Sequence, residues 1–323
     1  MGPLPVGRSR QLAVSLAIAA LYCPAVAQPA RESELWSTPA DTAALDLRYG
    51  VGGPNLSPQN GDTFAFVEKD TKGASPGWKV SAADGLRWDV KAGIEAQAEV
   101  AVSRILWVLG YHQPPMYYLA SWTLAGGPTP GPQPGGRFRP ELPDVKRVGR
   151  WSWNENPFLG TPAFRRLKAA MRLVNNWDLL DENTAIHEVD GGSASRQRRY
   201  LVIDLGGSLG KGAWLPTRST KNDVEDFERQ TFVDGIDDEG FVRFADIGRR
   251  HRDLFKDIRG EDVRWVCERL DKLTEKQWRD LFQGAGYDAA TGSRFTAAMR
   301  RRISEGLQLP TRKSPAPAGE GRH

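Results

Sequence analysis

The alternation of apolar and polar residues predicts strands in the first half of the chain. Apolar positions recur with period two in Thr63–Val67, in Trp78–Val80 and in Leu86–Lys91, as expected for strands with one buried face. The Asp84-Gly85 pair is a turn signal, so the second and third of these strands form a hairpin.

One helix interrupts the strands. Five apolar residues after Gly93 fall at helical spacing and end before Gly110, a stop signal; they are Ile94, Ala98, Ala101, Ile105 and Val108. Two further strands are predicted in Met116–Trp122 and Val145–Trp153. Residues 125–136, between them, are dominated by Gly and Pro and predict a flexible insertion.

Beyond a linker at residues 154–160, the pattern becomes helical. Thr161 followed by Pro162 is a helix start, and Thr274 with Gln277 three positions later is a capping box. The capping box begins one of three helices predicted in residues 261–306. We therefore predict an α+β fold of two lobes, with a β-rich lobe at 28–153, a hinge at 154–160, a mainly helical lobe at 161–308 and a disordered tail at 309–323.

The N-terminus has the pattern of a secretory signal. Arg8 and Arg10 precede the apolar run Leu12–Tyr22, which is too short to span a bilayer, and Ala25–Ala27 offers a small-x-small cleavage site. We expect residues 1–27 to be removed and the protein to be periplasmic or extracellular, with an uncleaved anchor as the alternative. Cleavage leaves Cys267 as the single cysteine, which predicts a buried small apolar residue and no internal disulfide.

Charge and composition exclude several classes of function. The formal charge of +4 is small for 323 residues and does not resemble the basic stripe of a nucleic-acid-binding protein. The four histidines are scattered, which argues against a histidine zinc site. No stretch after the signal is apolar enough to span a membrane. The oligomeric state is left open.

The candidate chemistry lies in two short motifs that a predicted hairpin separates. Asp178 and Asn183 stand five positions apart, and Asp204 with Gly206 follows the hairpin. Phosphoryl transfer requires metal ions across the phosphates and a group that orients the acceptor hydroxyl, and Mg²⁺ prefers carboxylate and amide oxygens. In the alternative interpretation, Asp178 caps a turn, Asn183 supplies a left-handed residue and Asp204 ends a strand.

The first half offers a matching cation and a loop. Lys91 closes a strand and Glu99 lies on the next helix, where the two could pair and position phosphates; Glu95 competes with Glu99 for this role. The loop that contains Gly73, Ser75 and Gly77 precedes the Lys91 strand and is predicted to cover the phosphates. An ordinary hairpin turn remains possible there, and the glycine-rich segment Tyr49–Gly53 is a second candidate.

These motifs resemble those of atypical protein-kinase-like enzymes. Asn176-x-Asp178-x4-Asn183 is similar to the Asn-x-Asp-x-His-x-x-Asn loop of HipA-type bacterial kinases, and phosphatidylinositol kinases and secreted spore-coat and Golgi kinases share the general layout. The chain is also similar to exported bacterial proteins of unknown function with the same Trp-rich run. Leu180 stands in place of the loop histidine, and Leu205 in place of the usual Phe of Asp-Phe-Gly.

The resemblance implies an exported phosphotransferase with a bilobal kinase-like fold that uses ATP and Mg²⁺. By position in the motifs, Asp178 is the catalytic residue, Asn183 and Asp204 bind metal, and Lys91 with Glu99 binds the nucleotide. The acceptor is left open among a protein hydroxyl, a sugar and a lipid head group. The alternatives are a pseudokinase or a non-catalytic binding module on the same scaffold, and, with less support, a glycan-binding protein.

Overall fold

The computed structural model describes residue 2 and residues 31–38, 41–70, 75–190, 196–212, 218–245 and 249–310, with the backbone alone for 249 and 250. Apart from Gly2, the predicted signal segment 1–27 lies outside the described residues. Gly73 of the predicted phosphate-covering loop lies outside them as well, and so do residues 311–323 of the predicted tail.

A mixed seven-stranded sheet dominates the first half. Its strands are β1 (Thr63–Asp70), β2 (Gly77–Ser81), β3 (Arg87–Ala92), β4 (Tyr117–Leu119), β5 (Trp122–Ala125), β6 (Gly131–Gln133) and β7 (Gly136–Pro140). The order is β4-β7-β3-β2-β1-β5-β6, and the pairing of β1 with β5 is parallel.

The two faces of this sheet differ in chemistry. One face buries an aromatic cluster around Trp122, whose ring centroid lies 5.3 Å from that of Phe138 and 5.6 Å from that of Trp78. Alternation along the strands turns the polar residues to the other face. In register, Lys79 lies opposite Asp89, which lies opposite Arg139, and the next row holds Gly77, Lys91 and Arg137. Lys79, Asp89 and Arg139 on this polar face line a cavity between this sheet and a second, smaller sheet.

Six helices build most of the remaining structure. They are α1 (Glu95–Val108), α2 (Pro162–Leu173), α3 (Val224–Arg229), α4 (Gly260–Asp271), α5 (Glu275–Gly284) and α6 (Ala289–Leu307). Thr161 caps α2 by accepting from the backbone N–H of Phe164, and Thr274 and Gln277 form the predicted capping box of α5. The apolar residues of α1 belong to the same core cluster as those of α2, α4, α5 and α6.

A three-stranded antiparallel sheet links the two halves. It consists of β8 (Val145–Gly149), β9 (Thr184–Asp190) and β10 (Arg196–Val202), with β9 in the centre. The chain leaves the larger sheet at residues 141–144, before the predicted hinge at 154–160, and β8 pairs with the predicted hairpin instead of with the larger sheet. A small hairpin, β11 (Val233–Ile236) with β12 (Val242–Phe244), precedes α4.

The predicted α+β architecture is confirmed, with four local differences. The strand predicted over 116–122 is divided into β4 and β5, and the Gly- and Pro-rich stretch 125–136 contains β6. Strand β7 was not predicted, because Gly136 and Pro140 at its ends resemble loop signals. At the C-terminus, Leu309 is 5% exposed and its carbonyl accepts from Arg264 at 2.6 Å, so the fold includes the first residues of the predicted tail. In the described part of the chain, no helix has the length and apolar character needed to cross a membrane.

Candidate active site

Lys91 lies among three carboxylates that come from both halves of the molecule. Its Nζ is 2.7 Å from Glu95 Oε2, 3.8 Å from Glu99 Oε2 and 3.1 Å from Asp204 Oδ2. Burial opposes the charge on Lys91, but the carboxylates of Glu99, Asp204 and Glu95 together raise its pKa well above the ordinary value. Lys91 is therefore a cation held in a fixed position between the two halves of the molecule.

Glu95 is the carboxylate nearest to Lys91. It also accepts hydrogen bonds from Ser75 Oγ, at 3.0 Å, and from Lys221 Nζ. Burial alone would raise the pKa of Glu95, but the hydrogen bonds from Lys221 and Lys91 lower it to about 2. Glu95 is thus ionised throughout the physiological range.

Glu99 lies one turn deeper in α1 and is only 1% exposed. Its Oε1 lies 3.2 Å from Arg137 Nε, so Glu99 stands between Arg137 and Lys91. Burial raises the pKa of Glu99, against the opposing effect of Arg137. The structure therefore brings both predicted carboxylates to Lys91, and the assignment of the nucleotide-positioning role to Glu99 stays a prediction.

Asp178 and Asn183 are joined within one loop. Helix α2 ends at Leu173, and the chain turns through Asn175, at a φ of 52°, so Asp178 follows the helix instead of ending it. The backbone N–H of Asp178 donates to Asn176 Oδ1 at 2.9 Å. Asn183 Nδ2 donates to the carbonyl of Asp178 at 2.8 Å and to its Oδ2 at 3.2 Å. The spacing of five residues in the sequence thus corresponds to direct contact.

The Asp204 loop packs against the Asp178 loop. The backbone N–H of Asp204 lies 3.5 Å from the carbonyl of Asn183, and the N–H of Trp177 donates to the carbonyl of Gly207 at 3.2 Å. Asp204 Oδ1 accepts from the backbone N–H of Gly206 at 3.3 Å. Its side chain is 40% exposed, so one carboxylate of the Lys91 cluster faces the cleft. The two motifs that the hairpin separates in sequence therefore form one surface.

The predicted phosphate-covering loop ends beside this cluster. Gly77 lies opposite Lys91 in the register of β2 and β3, and Ser75 contacts Glu95 as described above. Gly73 is outside the described residues. The binding roles of Gly73, Ser75 and Gly77 stay predictions.

The second glycine-rich candidate, Tyr49–Gly53, packs elsewhere. Gly50 approaches the side chain of Arg104, and Gly52 approaches the hydroxyl of Tyr117. The Tyr117 hydroxyl also donates to the carbonyl of Gly53 at 3.0 Å. These contacts fix the segment against α1 and β4.

Lys221 is a second cation of the site that the sequence did not reveal. It hydrogen-bonds Glu95, and its Nζ lies 5.7 Å from the centroid of the Trp177 ring, next to Asp178. The segment after Asp204 has no clear periodicity, and a lone lysine there carries no signal. Only the folded chain places it against α1.

A cavity of about 600 Å³ lies between the two sheets, and its lining does not include Lys91 or the three carboxylates around it. Its floor includes Leu201 and Ile203, which pack with Ala185 in a small apolar cluster. Ile203 directly precedes Asp204, and Asp89 in the opposite wall stands two residues before Lys91 on the same face of β3. The cavity is therefore next to the polar cluster along two segments of the chain.

Comparisons with known proteins identify similar structures but no family. No protein-family model matches the chain, and no curated protein matches it. The chain is similar to the solved structure of the Golgi casein kinase, with 11% identity and a TM-score of 0.42 over 78% of this chain and 73% of that one. The same kinase with Mn/ADP bound matches with 10% identity and a TM-score of 0.40, over the same shares of the two chains.

A bacterial kinase is also similar in structure. The proinflammatory kinase CtkA of Helicobacter pylori has 13% identity and a TM-score of 0.35, over 79% of this chain and 100% of that one. At such low identities and TM-scores, nothing about activity is carried over from these matches.

Proposed function

We propose that the protein is an exported phosphotransferase that takes a phosphoryl group from ATP, with Mg²⁺, and passes it to a hydroxyl acceptor. The observation that carries this proposal is the convergence of Lys91, Asp204, Asn183 and Asp178 on one site, from three separate parts of the sequence. Phosphoryl transfer depends mainly on positioning and on charge stabilisation, which such a convergence provides.

Lys91 would hold the phosphates of the nucleotide. Its Nζ already has carboxylate oxygens from Glu95, Glu99 and Asp204 around it, which fix its position. A fixed cation needs little reorganisation when a phosphate oxygen arrives, and it stabilises the charge that develops during transfer.

Asp204 and Asn183 have the donor atoms that a magnesium ion requires. Because Asn183 donates its Nδ2 to Asp178, its Oδ1 is left without a hydrogen bond to any described residue. No group of three His, Cys, Asp or Glu side chains suited to a metal occurs among the described residues. Mg²⁺ commonly uses one or two carboxylates together with substrate phosphates and waters, so one Asp and one Asn fit it. When bound, the ion would neutralise charge on the phosphates.

Asp178 would orient the acceptor hydroxyl and accept its proton. The hydroxyl oxygen forms a bond to the terminal phosphorus, the bond from that phosphorus to the bridging oxygen breaks, and ADP leaves with the electron pair. The hydrogen bond from Asn183 Nδ2 to Asp178 Oδ2, 3.2 Å long, fixes the carboxylate in one orientation.

A thermal-shift experiment tests the nucleotide site. We expect ATP with Mg²⁺ at about 100 times its Kd to raise the Tm of the wild-type protein by about 5 °C, and ATP with EDTA to raise it less. Asp204→Asn should lose the Mg²⁺-dependent part of the shift. Asp190→Asn, an exposed carboxylate at the end of β9, is the matched control and should keep it. A wild-type protein without any Mg²⁺-dependent stabilisation would contradict the proposal.

Transfer of label from γ-labelled ATP tests catalysis separately. Asp178→Asn should lower transfer to an acceptor, or to the protein itself, by at least about 100-fold, the range for loss of a general base, while it keeps the Mg²⁺-dependent thermal shift. If the wild-type protein shows the shift but transfers no label to any protein, sugar or lipid acceptor tried, the pseudokinase alternative is favoured.

Export is part of the proposal and rests on the basic and apolar pattern of residues 1–27. We expect the mature chain to begin near Gln28, after the Ala25–Ala27 motif. N-terminal sequencing of protein from the periplasmic or culture fraction checks this, and an intact Met1 in the cytoplasmic fraction would contradict it.

A further inference from the structure

The outer part of the cavity is lined by arginines from three strands. Arg147, His187 and Arg199 lie in one row across β8, β9 and β10, because Arg147 and Arg199 are both register partners of His187. All three residues line the cavity. The opposite wall contributes Arg139 of β7, which lines the cavity as well. Three guanidinium groups therefore surround one imidazole.

Few carboxylates are available to these arginines. Arg139 shares Asp89 with Arg137, at 2.8 Å and 3.0 Å respectively. Arg147 donates to the carbonyl of Thr184 at 3.0 Å and has no carboxylate partner among the described residues.

The Arg199 side chain has fewer hydrogen-bond partners than that of Arg147. Its guanidinium group makes no hydrogen bond or ion pair with any described residue. The two other carboxylates in the lining are Glu141, which is held by Lys79 at 2.9 Å, and Asp144. The arginine row thus has N–H donors that none of the described residues accepts from.

The pKa of the His187 imidazole is lowered by burial and by the positive charges around it. Burial, together with Arg139, Arg147 and Arg199, lowers the pKa of His187 to about 4. His187 is therefore neutral at physiological pH and adds no charge of its own. Because the described residues leave the positive charges largely uncompensated, a bound anion would relieve their mutual repulsion.

We propose that the outer part of the cavity binds a phosphate group through Arg147 and Arg199, with Arg139 as a third contact. Planar guanidinium groups suit phosphate because they donate paired N–H bonds to its oxygens. The phosphate could belong to the nucleotide or to a phosphorylated acceptor, and both share this chemistry. The choice between these two sources rests on the proposed function, whereas the anion site itself does not.

The test measures binding of inorganic pyrophosphate to the full chain by calorimetry, in EDTA so that no metal site contributes. We expect Arg199→Gln and Arg147→Gln each to weaken binding by about tenfold or more, the loss of one charge-assisted hydrogen bond. Arg198→Gln removes the same charge one residue away, on the opposite face of β10, and should change binding by less than about twofold. Because binding is measured without ATP and without metal, a failure of this test is separate from a failure of the nucleotide site.

A second measurement reports the position of the anion. Proton NMR of the His187 ring should show its pKa rising when pyrophosphate binds, because the anion offsets the three arginines. Equal losses of affinity in Arg198→Gln and Arg199→Gln, an unchanged His187 pKa at saturation, or no binding by the wild-type protein would each overturn the proposal.

The source of the phosphate is decided by competition. If the nucleotide supplies the phosphate, ATP displaces pyrophosphate. Arg199→Gln then lowers the affinity for ATP and the affinity for pyrophosphate by the same factor. If the acceptor supplies it, pyrophosphate binds equally well to protein saturated with ATP and Mg²⁺, and Arg199→Gln leaves the affinity for ATP unchanged. If neither pattern is observed, both sources are overturned, and the anion site is independent of the proposed phosphoryl transfer.

Discussion

Two adjacent glycines allow the Asp204 loop to lie close to α1 and to the Asp178 loop. A Cβ on Gly206 would lie 2.6 Å from Glu95 Cβ, and a Cβ on Gly207 would lie 2.8 Å from Asp178 Cβ. Neither glycine has a positive φ. Gly206 is therefore required by close packing and not by a backbone conformation that only glycine adopts readily.

Gly206→Ala should destabilise the protein by about 1–3 kcal/mol, because the new methyl group meets the Cβ of Glu95 and not the flexible end of a side chain. It should also reduce the ATP-dependent thermal shift, since it pushes α1 away from Asp204. Gly149→Ala is the control, because its Cβ would meet only Ile186 Cδ1, at 3.8 Å. Urea unfolding measures the stabilities, and equal values for the two variants would contradict the packing argument.

The sequence predicted which polar residues of the motifs come together, but not all the side chains that contact them. The order Lys91, Asp178, Asn183, Asp204 is a pattern along the chain, and the structure brings these residues together. The choice between Glu95 and Glu99 depends on the rotation of α1 about its axis, which spacing along a helix does not determine. The contact of Lys221 with Glu95 depends on a long-range approach that no local pattern encodes.

At the scale of elements, α1 is fixed to the helical half by buried hydrogen bonds. Arg104 Nη1 donates to the carbonyl of Leu281 at 2.9 Å, and Nη2 donates to that of Gly284 at 3.1 Å. These carbonyls belong to the last turn of α5, where a cation also complements the helix dipole. Gln97 Nε2 adds a bond to the carbonyl of Gly286 at 2.7 Å. The sequence predicted α1 and α5, but not this connection between them.

Arg104→Met should lower the free energy of unfolding by about 3 kcal/mol, because it leaves buried carbonyls of α5 without donors. Arg48→Met removes the same charge from an exposed side chain nearby and should change stability by less than about 0.5 kcal/mol. Guanidinium unfolding followed by tryptophan fluorescence measures both. A loss for Arg104→Met no larger than that for Arg48→Met would show that the connection is not structural.

At the scale of the whole molecule, two groups make the fold sensitive to acid. The pKa of His187 is about 4 in the folded protein, against an ordinary value of 6.5, so its contribution to stability is complete above pH 6.5 and is lost as the pH falls towards 4. The pKa of Glu95 is about 2, against 4.5, so its contribution is lost below pH 4.5. Both contributions decline as the pH falls, in successive windows.

His187→Gln should flatten the fall in stability between pH 6.5 and pH 4.5, because glutamine takes up no proton. After allowance for partial exposure to solvent, the wild-type loss due to His187 across its titration is roughly 1–2 kcal/mol. Unfolding free energies measured at half-unit steps of pH check this. A His187→Gln profile parallel to that of the wild type throughout this window would show that another group is responsible.

The position of α1 has a consequence for motion across the cleft. Lys91 belongs to the seven-stranded sheet, whereas Glu95 and Glu99 belong to a helix that packs in the core of the helical half. Sliding or tilting of the sheet relative to that core changes the distance between the ammonium group and its carboxylates. The distances within this ion cluster therefore change when the sheet moves relative to the helical core. The distance between two spin labels, one on β2 and one on α5, would measure the same movement.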